Sequence, residues 1–305
     1  MAEPPVIHIP SDDRSDLRAA VEEGGGRTGP LEEADGLVFL GGDPSELPEL
    51  PDSVRWVQLP SAGVEQWIES GVVDGTRDFT SATGSFGLPV AEHALALLLA
   101  AAKHLHGFAR ARSWEGEGRY SVHALEYATV LIVGAGGIGR ALIELLQPFG
   151  CEVIAVTRRG RDVPGASRSL SIDDVGEVWG EATHVVLATP ATGGTRHLVG
   201  ARELEAMRDD AWLVNVARGS VVDTEALVAA LRSRAIAGAA LDVTDPEPLP
   251  DDHPLWELDN VLITPHVATP PEAEKRHFAA RVRENVRRLA AGEELEGLVD
   301  PEGGY

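Results

Sequence analysis

Short apolar runs alternate along the chain with stretches whose apolar residues recur at helical spacing. Near the amino terminus PVIHIP (5–10), LVFLGG (37–42), VRWVQLP (54–60) and DFTSAT (78–83) read as strands. SDLRAAVEEG and GVEQWIESG lie between some of them with helical spacing, which predicts a parallel sheet flanked by helices. VAEHALALLLAAAKHLHGFARAR (90–112) is a strong helix former, apolar on most sides near its start, and is expected to sit buried between two domains. SWEGEGRYSVHALEY (113–127), rich in glycine and polar residues, reads as a connection.

A second series follows, with strands expected at 129–133, 153–156, 184–189, 212–217, 238–243 and 261–264 and helical patterns between most of them. A β-α alternation that opens on a glycine-rich turn predicts the doubly wound nucleotide-binding plan. The last periodic segment, PEAEKRHFAARVRENVRRLAAG (271–292), begins after a proline pair and stops at Gly292, as a helix should. The expected fold class is therefore α/β with two doubly wound parallel-sheet domains. One of them opens on that glycine-rich turn.

Composition narrows the class. A chain of 305 residues, 43% hydrophobic and 25% charged, suits two soluble domains. Cys151, the only cysteine, cannot form an internal disulfide, fits a reducing cytoplasm and is expected to pack in the core. The start MAEPPVIHIP lacks the basic and apolar regions of a secretory signal. The longest unbroken apolar run, ALALLLAAA (94–102), is too short for a bilayer, so a cytoplasmic protein without membrane contact is expected. A net charge of −23 argues against nucleic acid, whose phosphates demand clustered Lys and Arg.

LIVGAGGIGRALIELLQPFGCEVIAVTRRG (131–160) carries the sharpest motif. Gly134, Gly136 and Gly139 have the G-x-G-x-x-G spacing, with Gly137 and Ile138 between them, on a strand-turn-helix. The first glycine permits the tight turn, the second lets backbone approach a pyrophosphate, and the third packs helix on strand. A carboxylate after the next strand would bind the ribose hydroxyls of NAD and repel a 2′-phosphate. That slot holds Thr157, followed by Arg158 and Arg159, whose guanidiniums pair with a phosphate dianion. NADP(H) is the expected cofactor and NAD(H) the second choice.

Ligands of doubly wound sheets collect at the carboxyl ends of the strands. There WLVNVA runs into Arg218, GAALDV carries Asp242 and leads to Glu247, and VLITP runs into His266. A guanidinium, carboxylates and an imidazole on the cofactor edge can hold an anionic substrate and move a proton. No H-E-x-x-H or cysteine pair suggests a metal, and His104 and His106 read as solvated residues of a polar helix end.

The segment LVNVARGSVVDTEALVAALRSRAIAGAALDVTDPEPLPDDHPLWELDNVLITPH (213–266) resembles the D-isomer-specific 2-hydroxyacid dehydrogenases. The likeness extends through GAGGIG and, more loosely, SAGVEQW and VAEHALALLLA. It implies that Arg218 grips the substrate carboxylate and carbonyl oxygen, that His266 is the acid/base, and that Glu247 is its partner. It places Asp242 near the nicotinamide carboxamide and makes Ala62 and Gly63 a backbone cradle for the substrate carboxylate. Thr189, Pro190 and Ala217, at the ends of two further strands, join the cofactor set. The resemblance further implies a Rossmann cofactor domain over 104–270 and a discontinuous, flavodoxin-like substrate domain built from 1–103 plus 271–305, with two crossings that would form a hinge able to close over ligands.

The implied activity is reduction of a small 2-oxo acid, glyoxylate or hydroxypyruvate being the leading guess, to the D-2-hydroxy acid by a homodimer. Glu247 argues against the formate-oxidising branch, which has glutamine there. Thr269 and the asparagine-free TSATG loop (80–84) depart from many members, and no regulatory domain is expected after residue 305. Substrate selectivity is expected around Trp56, Ser61, Phe86 and Leu88. Trp114 is expected to pack within the chain, although an aromatic near this point reaches a neighbouring subunit in some similar reductases. The competing reading is a dinucleotide-sensing, corepressor-like regulator with little turnover.

Overall fold

The computed structural model describes residues 3–114 and 122–301. The chain forms two compact units, Met1–Phe86 with Pro270–Tyr305 and Gly87–Thr269.

The first unit contains β1 (Val6–His8), α1 (Ser15–Glu23), β2 (Arg27–Thr28), β3 (Gly36–Val38), β4 (Trp56–Gln58), α2 (Glu65–Glu69) and β5 (Asp78–Thr80). Its strands are parallel in the order β2-β1-β3-β4-β5, the flavodoxin-like arrangement. Successive side chains point to opposite faces and both faces are covered. Ile7, Val38 and Trp56 pack with Leu17 and Val21 of α1 and with Phe278, Val282 and Val286 of the closing helix, Pro271–Ala291. Leu37, Val57 and Phe79 pack with Trp67 of α2. The closing helix also buries Asn285, whose amide donates to Gln58 Oε1 (2.8 Å) and whose oxygen accepts from the Glu296 amide (2.8 Å). The polar two-residue β2 is absent from the sequence reading because an edge strand of Arg and Thr carries no apolar signal.

The second unit contains α3 (Gly87–Ala102), α4 (Leu105–Arg110), β6 (Thr129–Val133), α5 (Gly137–Leu146), β7 (Glu152–Thr157), β8 (Arg168–Ser171) and β9 (His184–Leu187). It continues through α6 (Ala201–Ala206), β10 (Trp212–Asn215), α7 (Thr224–Ser233), β11 (Gly238–Leu241) and β12 (Val261–Ile263). All strands are parallel, in the order β12-β11-β10-β9-β6-β7-β8. That is the Rossmann order with one additional strand at the β12 edge. The partly exposed β8 (RSLS) is again an edge strand that hydrophobic patterning does not find. α5 buries Gly139, Leu142, Ile143 and Leu146, one helical face. Asp223 caps α7 by accepting from the Ala226 amide (3.0 Å).

Four expectations change here. The long apolar helix belongs to the second unit, because α3 packs along α5 so closely that a Cβ on Gly87 would lie 2.9 Å from the Gly137 carbonyl oxygen. The boundary expected at residue 103 therefore lies at Phe86. The helix is also broken after Ala102, where His104 takes a left-handed φ of 53°. His106 is not solvated: it is 6% exposed, with its ring edge-on to Trp212 at 5.0 Å. Cys151 is half-buried at the turn before β7, not in the core. Residues 115–121 of the expected connection lie outside the described residues.

Burial holds His106 and His184, the latter 4% exposed, neutral with pKa values of about 4. Their folded pKa is below the ordinary 6.5, so the unfolded chain binds protons first as pH falls. Stability should be full above pH 6.5 and drop by about 2 kcal/mol per ring as pH falls toward 4. Urea titrations of wild type and His184→Gln across this range check it. An unchanged slope in the variant would remove His184 as a cause.

Candidate active site

The phosphate turn is built by glycines that the backbone requires. Gly134 follows β6 with φ 102°, and a Cβ there would lie 2.6 Å from the Ala188 carbonyl and the Thr189 nitrogen. A Cβ on Gly139 would strike the Gly134 carbonyl oxygen. Gly136 differs: it is exposed, and no atom lies within 4 Å of where its Cβ would be. That open backbone precedes Gly137 and Ile138, the first residues of α5, so amides at a helix start face a space that a side chain would have filled. The donor set and the clearance fit a dinucleotide pyrophosphate. Thr157 ends β7, and its hydroxyl accepts from the Arg161 amide (3.1 Å). Arg158 and Arg159 are exposed beyond it. Thr189, half-buried, and Pro190, exposed, follow β9, and Ala217 is buried after β10.

The ladder aligns Asn215, Leu241 and Ile263 across β10, β11 and β12. Arg218, Asp242 and His266 lie just beyond these partners and so emerge from one edge, the edge that bears Gly134. Asn215, buried, shapes the Arg218 loop: its oxygen accepts from the Ala217 amide (3.0 Å) and its amide donates to the Arg218 carbonyl (3.0 Å). Arg218 Nη1 donates to the Ala217 carbonyl at 2.8 Å. Gly219 lies flat against the loop before Glu247; a Cβ there would strike the Thr244 carbonyl and come within 2.5 Å of the Asp245 nitrogen. The sequence reading assigned nothing to Asn215 and Gly219, although both stand inside LVNVARGS.

His266 and Glu247 meet at 2.6 Å between Nδ1 and Oε1, and both are substantially exposed. With Nδ1 held by the carboxylate, Nε2 is left to face a ligand. Asp242 is different in kind: its side chain is 1% exposed. Its Oδ1 accepts from Thr264 Oγ1 (2.6 Å) and the Val267 amide (3.0 Å), and its Oδ2 accepts from the Ala268 amide (3.2 Å). His93 Nε2 lies 3.2 Å from the same Oδ1. Burial alone would push this carboxyl up, but the bonds from His93, Thr264 and Val267 outweigh it and hold the pKa at about 2. The carboxylate is thus turned into the loop that carries His266.

In the first unit, Ala62 and Gly63 form a partly exposed turn after β4. The Ser61 hydroxyl donates to the Gly63 carbonyl (2.7 Å) and the Thr83 hydroxyl to the Ala62 carbonyl (3.0 Å). Arg281 of the closing helix donates to the Thr83 carbonyl (2.7 Å) and the Ser85 hydroxyl (3.2 Å), anchoring the 83–85 loop to that helix. Trp56 is no pocket residue: it is fully buried, with Nε1 donating to Thr80 Oγ1 at 2.8 Å. Leu88 is exposed, while Phe86 packs against the first unit's core. Trp114 is fully exposed instead of packed. Among the described residues, no group of three or more His, Cys, Asp or Glu is placed to hold a metal, and no helix is long and apolar enough to cross a membrane.

Residues 95–268 match the family model described as the D-isomer specific 2-hydroxyacid dehydrogenase NAD binding domain. An uncharacterized protein of Corynebacterium melassecola is 43% identical over 294 residues, covering 94% of this chain and 95% of that one. A glyoxylate reductase of Thermococcus gammatolerans is 34% identical over 257 residues, covering 81% of this chain and 75% of that one. A D-isomer specific 2-hydroxyacid dehydrogenase of Xanthobacter autotrophicus, solved with NADPH and MES, superposes with a TM-score of 0.85 at 29% identity, covering both chains fully. The glycine turn, the aligned strand ends and these matches agree: the chain belongs to the D-isomer-specific 2-hydroxyacid dehydrogenase family, oxidoreductases that work with a nicotinamide dinucleotide.

Proposed function

We propose that the protein reduces a small 2-oxo acid, glyoxylate or hydroxypyruvate in kind, to the D-2-hydroxy acid with NADPH. The observation that carries this reading is the 2.6 Å pairing of Glu247 with His266 on the strand-end edge that bears Arg218 and the glycine turn. Gly134 to Gly139 and the α5 amides would hold the pyrophosphate, and the bound nicotinamide supplies the hydride. His266 gives a proton from Nε2 to the substrate carbonyl oxygen as negative charge builds there, and takes one back in the reverse direction. Glu247 orients the ring through Nδ1 and balances its positive charge. Arg218 offers a planar fork to the substrate carboxylate and fixes the carbonyl for attack. In the first unit, the turn at Ala62 and Gly63 would offer backbone amides to a carboxylate. Glyoxylate reductases among the relatives favour this substrate class.

NADPH is favoured because Thr157 offers no carboxylate to repel a 2′-phosphate and Arg158 and Arg159 stand exposed beside it. Arg158→Ala should raise the NADPH KM about tenfold, a loss typical of one charge-assisted contact, and shift the NADH value little. Equal shifts for both would remove the arginine from cofactor choice. The molecule is read as a cytoplasmic homodimer; Leu105, Phe108, Trp114, Val122 and Tyr127 are exposed apolar side chains on the segment after α3, where a second copy would cover them. A panel of 2-oxo acids assayed with NADPH and NADH in parallel tests the activity. Tight dinucleotide binding without turnover on any of them would instead support a dinucleotide-sensing regulator.

A further inference from the structure

The clamp on Asp242 includes a side chain from an element that the reaction does not use. His93 lies on α3, with Nε2 at 3.0 Å from Thr264 Oγ1 and 3.2 Å from Asp242 Oδ1. The proton positions follow by elimination. An ionised carboxylate only accepts, so the Thr264 hydroxyl gives its single proton to Asp242 Oδ1. The hydroxyl's lone pairs then face His93, whose Nε2 must carry the hydrogen it shares between the two oxygens.

The same carboxylate holds the amides of Val267 and Ala268, immediately after His266. On the other side the His266 amide donates to the Asp242 carbonyl (2.8 Å). His266 is therefore gripped before and after, and its backbone is kept at φ 53°, a region that residues with a side chain seldom occupy. A loop released from that grip would relax toward negative φ and swing the imidazole away from Glu247.

We infer that His93 is a positioning residue: through Thr264 and Asp242 it fixes the 264–268 loop in the conformation that presents the His266 ring. This rests on His266 being the acid/base, but the contact itself is independent of that role. His93→Phe keeps a ring and removes the donor, whereas His93→Gln returns an N–H near the same place. With the full-length protein, His93→Phe should lower kcat about 30-fold, the scale of a small misplacement of a reacting group. Its NADPH Kd should stay within about threefold, and amide exchange at Val267 and Ala268 in the cofactor-free protein should accelerate about tenfold. His93→Gln should recover most of both effects.

If His93→Phe does not fold, Thr264→Val, which cuts the relay while keeping the shape, should show the same pattern. A kcat within about twofold of wild type, or unchanged exchange at these two amides, overturns the inference. So does an equal loss in the Phe and Gln variants with exchange raised throughout the second unit, which marks a purely structural role. Should wild type reduce no 2-oxo acid, the reading of the reaction fails, and the exchange measurement still decides whether the clamp exists.

Discussion

His266→Gln is expected to lower kcat by about 10²–10⁴-fold, the range that positioned proton transfer contributes, while NADPH binds nearly as before. The expectation follows from the division of labour on the imidazole. Nδ1 is committed to Glu247 at 2.6 Å, so proton delivery falls to Nε2. Glutamine keeps a polar side chain of similar reach at this exposed position, but its amide has no proton to give at neutral pH. The loop should survive, because Asp242 holds it through the backbone of Val267 and Ala268 and not through the ring. The glycine turn lies several strands away along the same edge, which is why dinucleotide affinity should not follow kcat down. Single-turnover rates with glyoxylate and fluorescence titration of NADPH separate the two quantities. Retained turnover would contradict the assignment of His266.

What the sequence disclosed and what it hid divide along physical lines. Strands buried on both faces, such as TVLIV and HVVL, show themselves as unbroken apolar runs, and β6 matches its expected bounds. Edge strands do not: β2 and β8 are polar and partly solvated, so the two sheets gain one strand each beyond the pattern. The long apolar segment read as one helix because periodicity cannot see a backbone break, and His104 supplies one in the left-handed region. Residue type alone singles out Gly134, Arg218 and His266, and the structure sets all three on one sheet edge. Site chemistry was hidden where a residue acts through neighbours in space. Asn215 bonds backbone two and three residues away, and His93 meets Thr264 and Asp242 across far longer stretches of chain. Asp242 itself was expected beside the nicotinamide, and the bonds of its buried carboxylate show a loop to which it is anchored.

Gly219→Ala should cost about 2–4 kcal/mol of stability, at or above the upper end of what overpacking usually costs, because the atoms it meets cannot yield. The space for a methyl group is absent: the position its carbon would take is filled by the Thr244 carbonyl, with the Asp245 nitrogen 2.5 Å away. Both are backbone, so no rotamer change relieves the clash. The loop they belong to is tethered from behind, since the Thr224 hydroxyl at the start of α7 donates to the Asp245 carbonyl (2.7 Å). Thr244 Oγ1 also donates to the Pro246 carbonyl (2.9 Å), just before Glu247. The displacement is therefore expected to spread to Arg218 on one side and to Glu247 on the other. In a unit of this size the lost stability corresponds to a Tm about 5–12 °C lower. The catalytic consequence separates this variant from an ordinary destabilised one: well below its Tm, kcat/KM should still be about tenfold or more below wild type, because an arginine and a carboxylate shifted by a fraction of an ångström lose alignment together. Thermal unfolding followed by assays at a temperature where the variant is fully folded makes the distinction. A variant as stable and as active as wild type would mean that the two loops are not pressed together in solution. A loss of stability with full activity would mean that the loops yield away from the site.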